Sequence, residues 1–200
     1  MHKAKIGVFG GTFDPIHNGH LSSAYSAGLQ LGLDGVIFIP TGNKSPHKRR
    51  YATSAKTRLE MVKLAIEPYS EPKPFRPTFL YSDYEVNNSD ISYTVDTLAH
   101  MREGVGKHCE LFLLMGTDQA AELSTWKDPD RLFELSTVCV MSRLGYDIPD
   151  KWRSKLKLIN VDNLNISSTS IRAIVESQGH IAHLVPEAVA KYITDGGLYQ

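Results

Sequence analysis

The chain has no excess charge of one sign, very little cysteine and no long apolar run. Its 200 residues include 22 Lys or Arg and 22 Asp or Glu, so the formal net charge is zero. Proteins whose main role is to wrap nucleic acid usually carry a basic excess, so any anion bound here must be held by a local site. We therefore expect no nucleic-acid partner.

Only two cysteines occur, Cys109 and Cys139, and each lies in an apolar run. This pattern is typical of buried thiols that act as small apolar side chains, and no spacing resembles a zinc site. No run approaches the ~18 apolar residues of a membrane span. The N-terminus also lacks the apolar stretch of a signal peptide. These observations predict a cytoplasmic protein without a membrane partner.

Short apolar runs alternate with longer amphipathic runs. They predict strands at 5–9, 35–40, 79–86, 111–115, 137–141 and 156–161. Helical spacing predicts helices at 19–31, 54–66, 94–101, 168–177 and 186–194, with a short helix after Asp118. The alternation indicates an α/β fold with a mainly parallel sheet, in which ligands bind beyond the carboxyl ends of the strands. The polar, basic stretch 41–53 is expected to be a long loop.

The most informative segment is GGTFDPIHNGHL, from Gly10 to Leu21. It follows a predicted strand and opens a predicted helix. Gly10 and Gly11 allow a close approach to a ligand, and a helix N-terminus favours phosphate. His17 and His20 are three residues apart and can share one helix face. The segment is neither Gly-x-Gly-x-x-Gly nor a Walker A loop, which disfavours a dinucleotide-dependent oxidoreductase and a P-loop protein. One surface histidine and one capping histidine remain an alternative.

A second polar segment, ISSTSIR, runs from Ile166 to Arg172. Ser167, Ser168 and Thr169 offer hydroxyl and N–H groups at a predicted helix start, where Ser168 can act as the cap. A guanidinium can bind phosphate bidentately. A plain helix cap followed by a solvated arginine is the alternative.

Together, the two segments resemble the histidine box and the serine-rich signature of the nucleotidyltransferases related to class I aminoacyl-tRNA synthetases. The segments SYTVDTL at 92–98, GTD at 116–118 and LSTWK at 123–127 resemble, within that superfamily, the bacterial nicotinate-nucleotide adenylyltransferases. The resemblance covers the whole chain. It implies a Rossmann-like, doubly wound sheet of about six strands, in one domain over 1–200 with a small helical part at about 166–200.

The resemblance also implies the reaction and the site. ATP and nicotinate mononucleotide would give nicotinate adenine dinucleotide and pyrophosphate, as a step of NAD biosynthesis. Mg²⁺ would bridge the ATP phosphates without direct protein ligands, and the protein would be a monomer or a homo-oligomer. The implied catalytic residues are His17, His20, Lys48 and Arg172. The implied ATP-binding residues are Gly10, Gly11, Thr12, Phe13, His17, His20, Gly116, Asp118, Ile166, Ser167, Ser168 and Arg172. The implied substrate-binding residues are Lys44, His47, Tyr93, Thr94, Trp126 and Lys127.

The residue chemistry fits a nicotinate ring. Trp126 can stack on the ring, and main-chain N–H groups near Thr94 and Lys127 can donate to its carboxylate. An amide would present its own N–H donors there, which favours the acid. Core packing of Trp126 and a capping role for Asp118 stay open.

Other functions also stay open at this stage. Nicotinamide mononucleotide or phosphopantetheine is an alternative acceptor for the same chemistry. A nucleotide-binding regulator without catalysis is another possibility. An RNA-binding or tRNA-charging protein is disfavoured by the length and by the zero net charge.

Overall fold

The computed structural model describes residues 3–44, 52–106, 108–142, 150–161 and 164–200. The strands are β1 Ala4–Gly11, β2 Gly35–Pro40, β3 Thr78–Tyr81, β4 Cys109–Gly116, β5 Thr137–Ser142 and β6 Lys157–Asn160. The α-helices are α1 Asn18–Leu31, α2 Ala55–Ile66, α3 Tyr84–Asn87, α4 Thr94–Val105, α5 Thr117–Ala121, α6 Pro129–Leu135, α7 Asp150–Arg153, α8 Ser168–Glu176 and α9 Glu187–Asp195. Among these described helices, none is long and apolar enough to cross a membrane.

The six strands form one sheet in which every pairing is parallel. Their order is β3-β2-β1-β4-β5-β6, which confirms the predicted doubly wound α/β fold. In such a sheet, the chain leaves β1 and β4 toward opposite sides, so the loops after these two neighbours diverge. The divergence leaves a crevice at the carboxyl ends of β1 and β4.

Helices cover both faces of the sheet because each strand alternates its side chains between them. Phe9 of β1 lies in a cluster with residues of α1, α2, α8 and α9. Val8, its neighbour, lies in a second cluster with residues of α4, α5, α6 and α7. Cys109 and Cys139 are free and buried, as predicted, and burial raises the pKa of the Cys139 thiol to about 11.

Two local predictions were wrong, and three short helices were missed. The strand predicted to reach residue 86 ends at Tyr81, because Ser82 and Asp83 form a turn in which the Ser82 hydroxyl accepts from the Tyr84 N–H at 3.3 Å. Helices α3, α6 and α7 were not predicted. The N-cap of α8 is Ser167 and not Ser168, since the Ser167 Oγ accepts from the Ser170 N–H at 3.1 Å.

Candidate active site

Two adjoining cavities open into the crevice between β1 and β4. One, here the histidine cavity, has a volume of about 310 Å³ and contains both histidines of the Gly10–Leu21 segment. The other, here the tryptophan cavity, has a volume of about 250 Å³ and contains Trp126. Four residues line both cavities: Gly10, Gly11, Thr12 and Gln119. The cavities are therefore two halves of one site that share a wall.

The structure places every residue predicted for ATP in the histidine cavity. Thr169, which the sequence singled out at the start of the predicted helix, also lines it, and so do five residues that were not predicted for ATP: Phe9, Asp14, Ser23, Gln119 and Met141. Four residues predicted for the second substrate line the tryptophan cavity: Tyr93, Thr94, Trp126 and Lys127. Lys44 is exposed and lines neither cavity. His47 and Lys48 lie outside the described residues.

His17 and His20 are fixed by the start of α1. Their rings stack with centroids 3.6 Å apart, and His17 is only 2% exposed. The Nδ1 of His17 accepts from the His20 main-chain N–H, and the Nδ1 of His20 accepts from that of His17, both at 3.3 Å. In the neutral rings the proton is therefore carried by Nε2, as a donor. His17 is thus both the helix cap and part of the cavity wall.

The start of α8 is hydrogen-bonded to the Gly10–Leu21 segment, although more than 150 residues of sequence separate the two. The Ser168 hydroxyl donates to the carbonyl of Pro15 at 2.8 Å. Arg172 donates from Nη1 to the carbonyl of Asp14 at 2.8 Å and from Nη2 to the Thr169 hydroxyl at 3.2 Å. The N-termini of α1 and α8 and one guanidinium therefore meet at one cavity, which favours a polyanion there.

The tryptophan cavity contains the N-terminus of α4. Tyr93 is its N-cap and Thr94 its first residue, and the first N–H groups of a helix have no acceptor within the helix. The Lys127 Nζ binds the Asp96 carboxylate at 2.8 Å and lies 4.7 Å from the centroid of the Tyr93 ring. Lys127 lines the cavity, and its side chain is held by these contacts with Asp96 and Tyr93. Trp126 is partly buried, lines the tryptophan cavity and also packs against the core cluster that contains Val8.

Two buried charged residues behind the site were not predicted. Arg58 is fully buried and donates to the carbonyls of Thr12 at 2.8 Å and Gly42 at 3.1 Å. Glu85 lines the tryptophan cavity and accepts from the Thr97 hydroxyl at 2.7 Å. Arg58 lies on the buried face of α2. A charged residue among the apolar residues of that face is a sequence signal for a buried charge that binds other groups. Glu85 gave no signal because its segment was assigned to a strand.

Burial raises the pKa of Glu85 above its ordinary value near 4.5, although the hydrogen bond from Thr97 opposes this shift. The folded state therefore holds the proton more strongly than the unfolded state. This proton stabilises the folded state at pH values below the ordinary pKa. The stabilisation is lost as the pH rises through the raised pKa.

Glutamine cannot ionise. We therefore expect Glu85→Gln to lose less stability than the unmodified protein as the pH is raised from 4.5 to neutrality. Melting temperatures measured across this range test the prediction. Glu122→Gln, at an exposed carboxyl, is the matched control and is expected to keep the original pH dependence. Parallel curves for the protein and for Glu85→Gln would contradict it.

The side chains around the histidine cavity fit a cation bound to the phosphates of a nucleotide better than one coordinated directly by the protein. No group of three or more His, Cys, Asp or Glu side chains in the described part of the chain could hold a metal ion. The Asp14 carboxylate lines the histidine cavity, but it already accepts from Ala52, Thr53 and Tyr199. Asp118 is the exposed carboxylate of this cavity.

Comparisons with known proteins agree with this geometry. The Cytidylyltransferase-like family matches residues 8–174. Probable nicotinate-nucleotide adenylyltransferases of Desulfitobacterium hafniense and Clostridium botulinum are 41% and 37% identical to this chain. Each comparison covers 98% of this chain, with 96% and 98% of those proteins. The Plasmodium falciparum nicotinic acid mononucleotide adenylyltransferase, solved in complex with NaAD, has the same fold, with a TM-score of 0.78 at 20% identity over 98% of this chain and 97% of that one. The chain therefore belongs to the nicotinate-nucleotide adenylyltransferase family of the cytidylyltransferase-like proteins.

Proposed function

We propose that this protein transfers the adenylyl group of ATP to nicotinate mononucleotide, giving nicotinate adenine dinucleotide and pyrophosphate. The observation that carries the proposal is the pair of cavities with a shared wall. One cavity has the groups that bind a polyphosphate, and the other has an aromatic ring and a helix N-terminus. Relatives named for this reaction, similar over their whole length, support the same assignment.

The shared wall is where the two substrates would react. A phosphate oxygen of the mononucleotide attacks the α-phosphorus of ATP in line, a new P–O bond forms, and the bond to pyrophosphate breaks. Gly10 and Gly11 have no side chain beyond Cα, so both phosphates can approach the backbone there. The nucleophile is already an anion, so neither a base nor a covalent enzyme intermediate is needed.

Catalysis is then positioning together with electrostatic stabilisation. The Nε2–H groups of His17 and His20 donate to the phosphate oxygens on which charge develops. Arg172 and the N-termini of α1 and α8 neutralise charge on the leaving pyrophosphate. We infer the same role for Lys48. Lys48 and His47 both lie outside the described residues.

The preference for the acid follows from the donors around the tryptophan cavity. The first N–H groups of α4 and the main chain at Lys127 can donate to a nicotinate carboxylate, which only accepts. The amide group of nicotinamide would place its NH₂ donor against one of these donors. Leaving buried polar groups unpaired is a strong basis for rejecting an analogue.

Mg²⁺, when bound, would neutralise charge on the ATP phosphates. Asp118 is the residue we infer to contact it, through water, since Mg²⁺ keeps several waters. A cytoplasmic location, the absence of nucleic-acid and membrane partners, and a monomeric or homo-oligomeric state are also part of the proposal.

The experiment that tests the function is pyrophosphate release from ATP, with and without Mg²⁺. Nicotinate mononucleotide, nicotinamide mononucleotide and phosphopantetheine are offered in parallel. We expect release with the first, and a strong preference for it over the other two. Preference for the amide would contradict the carboxylate site but keep the mechanism. No release with any acceptor would make the protein a nucleotide-binding regulator.

We expect Trp126→Ala to raise the KM for nicotinate mononucleotide roughly 2- to 12-fold, the loss expected for one aromatic contact. The KM for ATP stays unchanged because Trp126 lines only the tryptophan cavity. Steady-state kinetics with each substrate varied in turn measures both constants. Phe75→Ala, at a side chain that is 99% exposed, is the matched control. A rise in the KM for ATP instead would show that the cavities are assigned the wrong way round.

A further inference from the structure

The Asp14 carboxylate has an environment that the proposed reaction does not use. Asp14 is 1% exposed although it lines the histidine cavity. Its Oδ2 accepts from the N–H groups of Ala52 at 2.9 Å and Thr53 at 3.4 Å. Its Oδ1 accepts from the hydroxyls of Thr53 and Tyr199, both at 2.7 Å. A carboxylate offers about four acceptor positions, so these donors satisfy it fully and fix its orientation.

One of the four donors comes from the far end of the chain. Tyr199 follows α9, and the Tyr199 and Leu198 side chains pack against the cluster that contains residues of α1, α2 and α8. The Tyr199 backbone has a φ of 65°, in the left-handed region that non-glycine residues rarely adopt. Burial, and then the Asp14 carboxylate, raise the pKa of the Tyr199 hydroxyl, so it remains a donor. Its hydrogen bond is charge-assisted, which makes it stronger than a neutral one.

Asp14 connects Tyr199 to the groups at the start of α8. Its carbonyl accepts from Arg172 Nη1 at 2.8 Å, and the next carbonyl, that of Pro15, accepts from the Ser168 hydroxyl at 2.8 Å. A shift of the Asp14–Pro15 backbone therefore moves the guanidinium and the start of α8. Asp14, Ser168 and Arg172 line the histidine cavity and not the tryptophan cavity.

We propose that Tyr199 is a positioning residue for the nucleotide, whose hydroxyl holds Asp14 and thereby sets the place of Arg172 in the histidine cavity. The proposal rests on the proposed function in assigning ATP to this cavity. Tyr199 lines neither cavity, so it acts through Asp14. Loss of the Tyr199 hydroxyl weakens the binding of ATP and leaves the binding of the mononucleotide unchanged.

The test compares Tyr199→Phe with the unmodified full-length chain. We expect the KM for ATP and the Kd for ATP, measured by titration calorimetry, to rise roughly 3- to 10-fold, as for part of a hydrogen bond to a charged group. The KM for nicotinate mononucleotide is expected to stay within about twofold, since no group it contacts has moved. Tyr192→Phe is the matched control, because Tyr192 is a partly buried tyrosine packed against the same cluster. It is expected to change neither constant.

Equal changes in both KM values, or a lower melting temperature with an unchanged Kd for ATP, would make the contact merely structural and overturn the proposal. If Tyr199→Phe does not fold, Thr53→Val removes another donor to the same Asp14 oxygen and is expected to give the same ATP-selective effect. An unchanged Kd for ATP in that variant overturns the proposal. The Kd measurement needs no turnover. An inactive protein whose Kd for ATP still responds to Tyr199→Phe would therefore contradict the proposed reaction alone.

Discussion

Replacing His20 by alanine is expected to lower kcat roughly 10²- to 10³-fold, the usual loss when one donor to a developing charge is removed. The Nε2–H of His20 is placed by the hydrogen bond at its Nδ1 and by stacking on His17, at 3.6 Å between centroids. Single-turnover measurements of pyrophosphate formation at saturating substrates report this step directly. His20→Asn keeps a side-chain donor and is expected to recover part of the rate.

The comparison with His17→Ala separates catalysis from folding. The His17 ring caps α1 as well as lining the cavity, so its removal is expected to cost about 1 kcal/mol of stability as well as rate. His20→Ala also loses a cap hydrogen bond, at the His20 Nδ1, but His20 is more exposed than His17, so a smaller loss of stability is expected. A kcat within about threefold of the original for His20→Ala would contradict its assignment as a donor to the reacting phosphate.

Replacing Arg58 by methionine is expected to lower the free energy of unfolding by about 2–6 kcal/mol. The reason is that a buried carbonyl, of Gly42, and a partly buried one, of Thr12, each lose a charged donor, at about 1–3 kcal/mol each. Urea denaturation measures the loss. Lys56→Met, at an exposed residue of the same helix, is the control and is expected to change stability by less than about 0.5 kcal/mol.

Activity of Arg58→Met, measured well below its melting temperature, adds a second readout. Thr12 is part of the wall that both cavities share, so losing its anchor is expected to lower kcat. Unchanged stability would mean that water replaces the guanidinium at both carbonyls. That result would contradict the role of Arg58 as the link between the loops that follow β1 and β2.

The fold and most residues of the histidine cavity could be predicted because their signals are local. Buried parallel strands are continuous apolar runs, and glycines, histidines and a hydroxyl-rich helix start identify themselves by residue type over a few positions. Asp14, Arg58 and Glu85 could not be predicted in their roles. Their partners lie at other places in the chain, and only the folded structure shows that Tyr199 reaches Asp14 or that Thr97 reaches Glu85.

The wall shared by Gly10, Gly11, Thr12 and Gln119 has a consequence for inhibition. A molecule that joins an adenosine to a nicotinate-like ring by a short linker enters both halves as one ligand. Binding of its second end is then intramolecular, and its affinity exceeds that of either fragment by a factor set by the effective concentration of the tether, up to roughly 10²–10⁴. The dinucleotide product has this architecture, so the enzyme is expected to be inhibited by accumulated product far more strongly than by either of its separate halves.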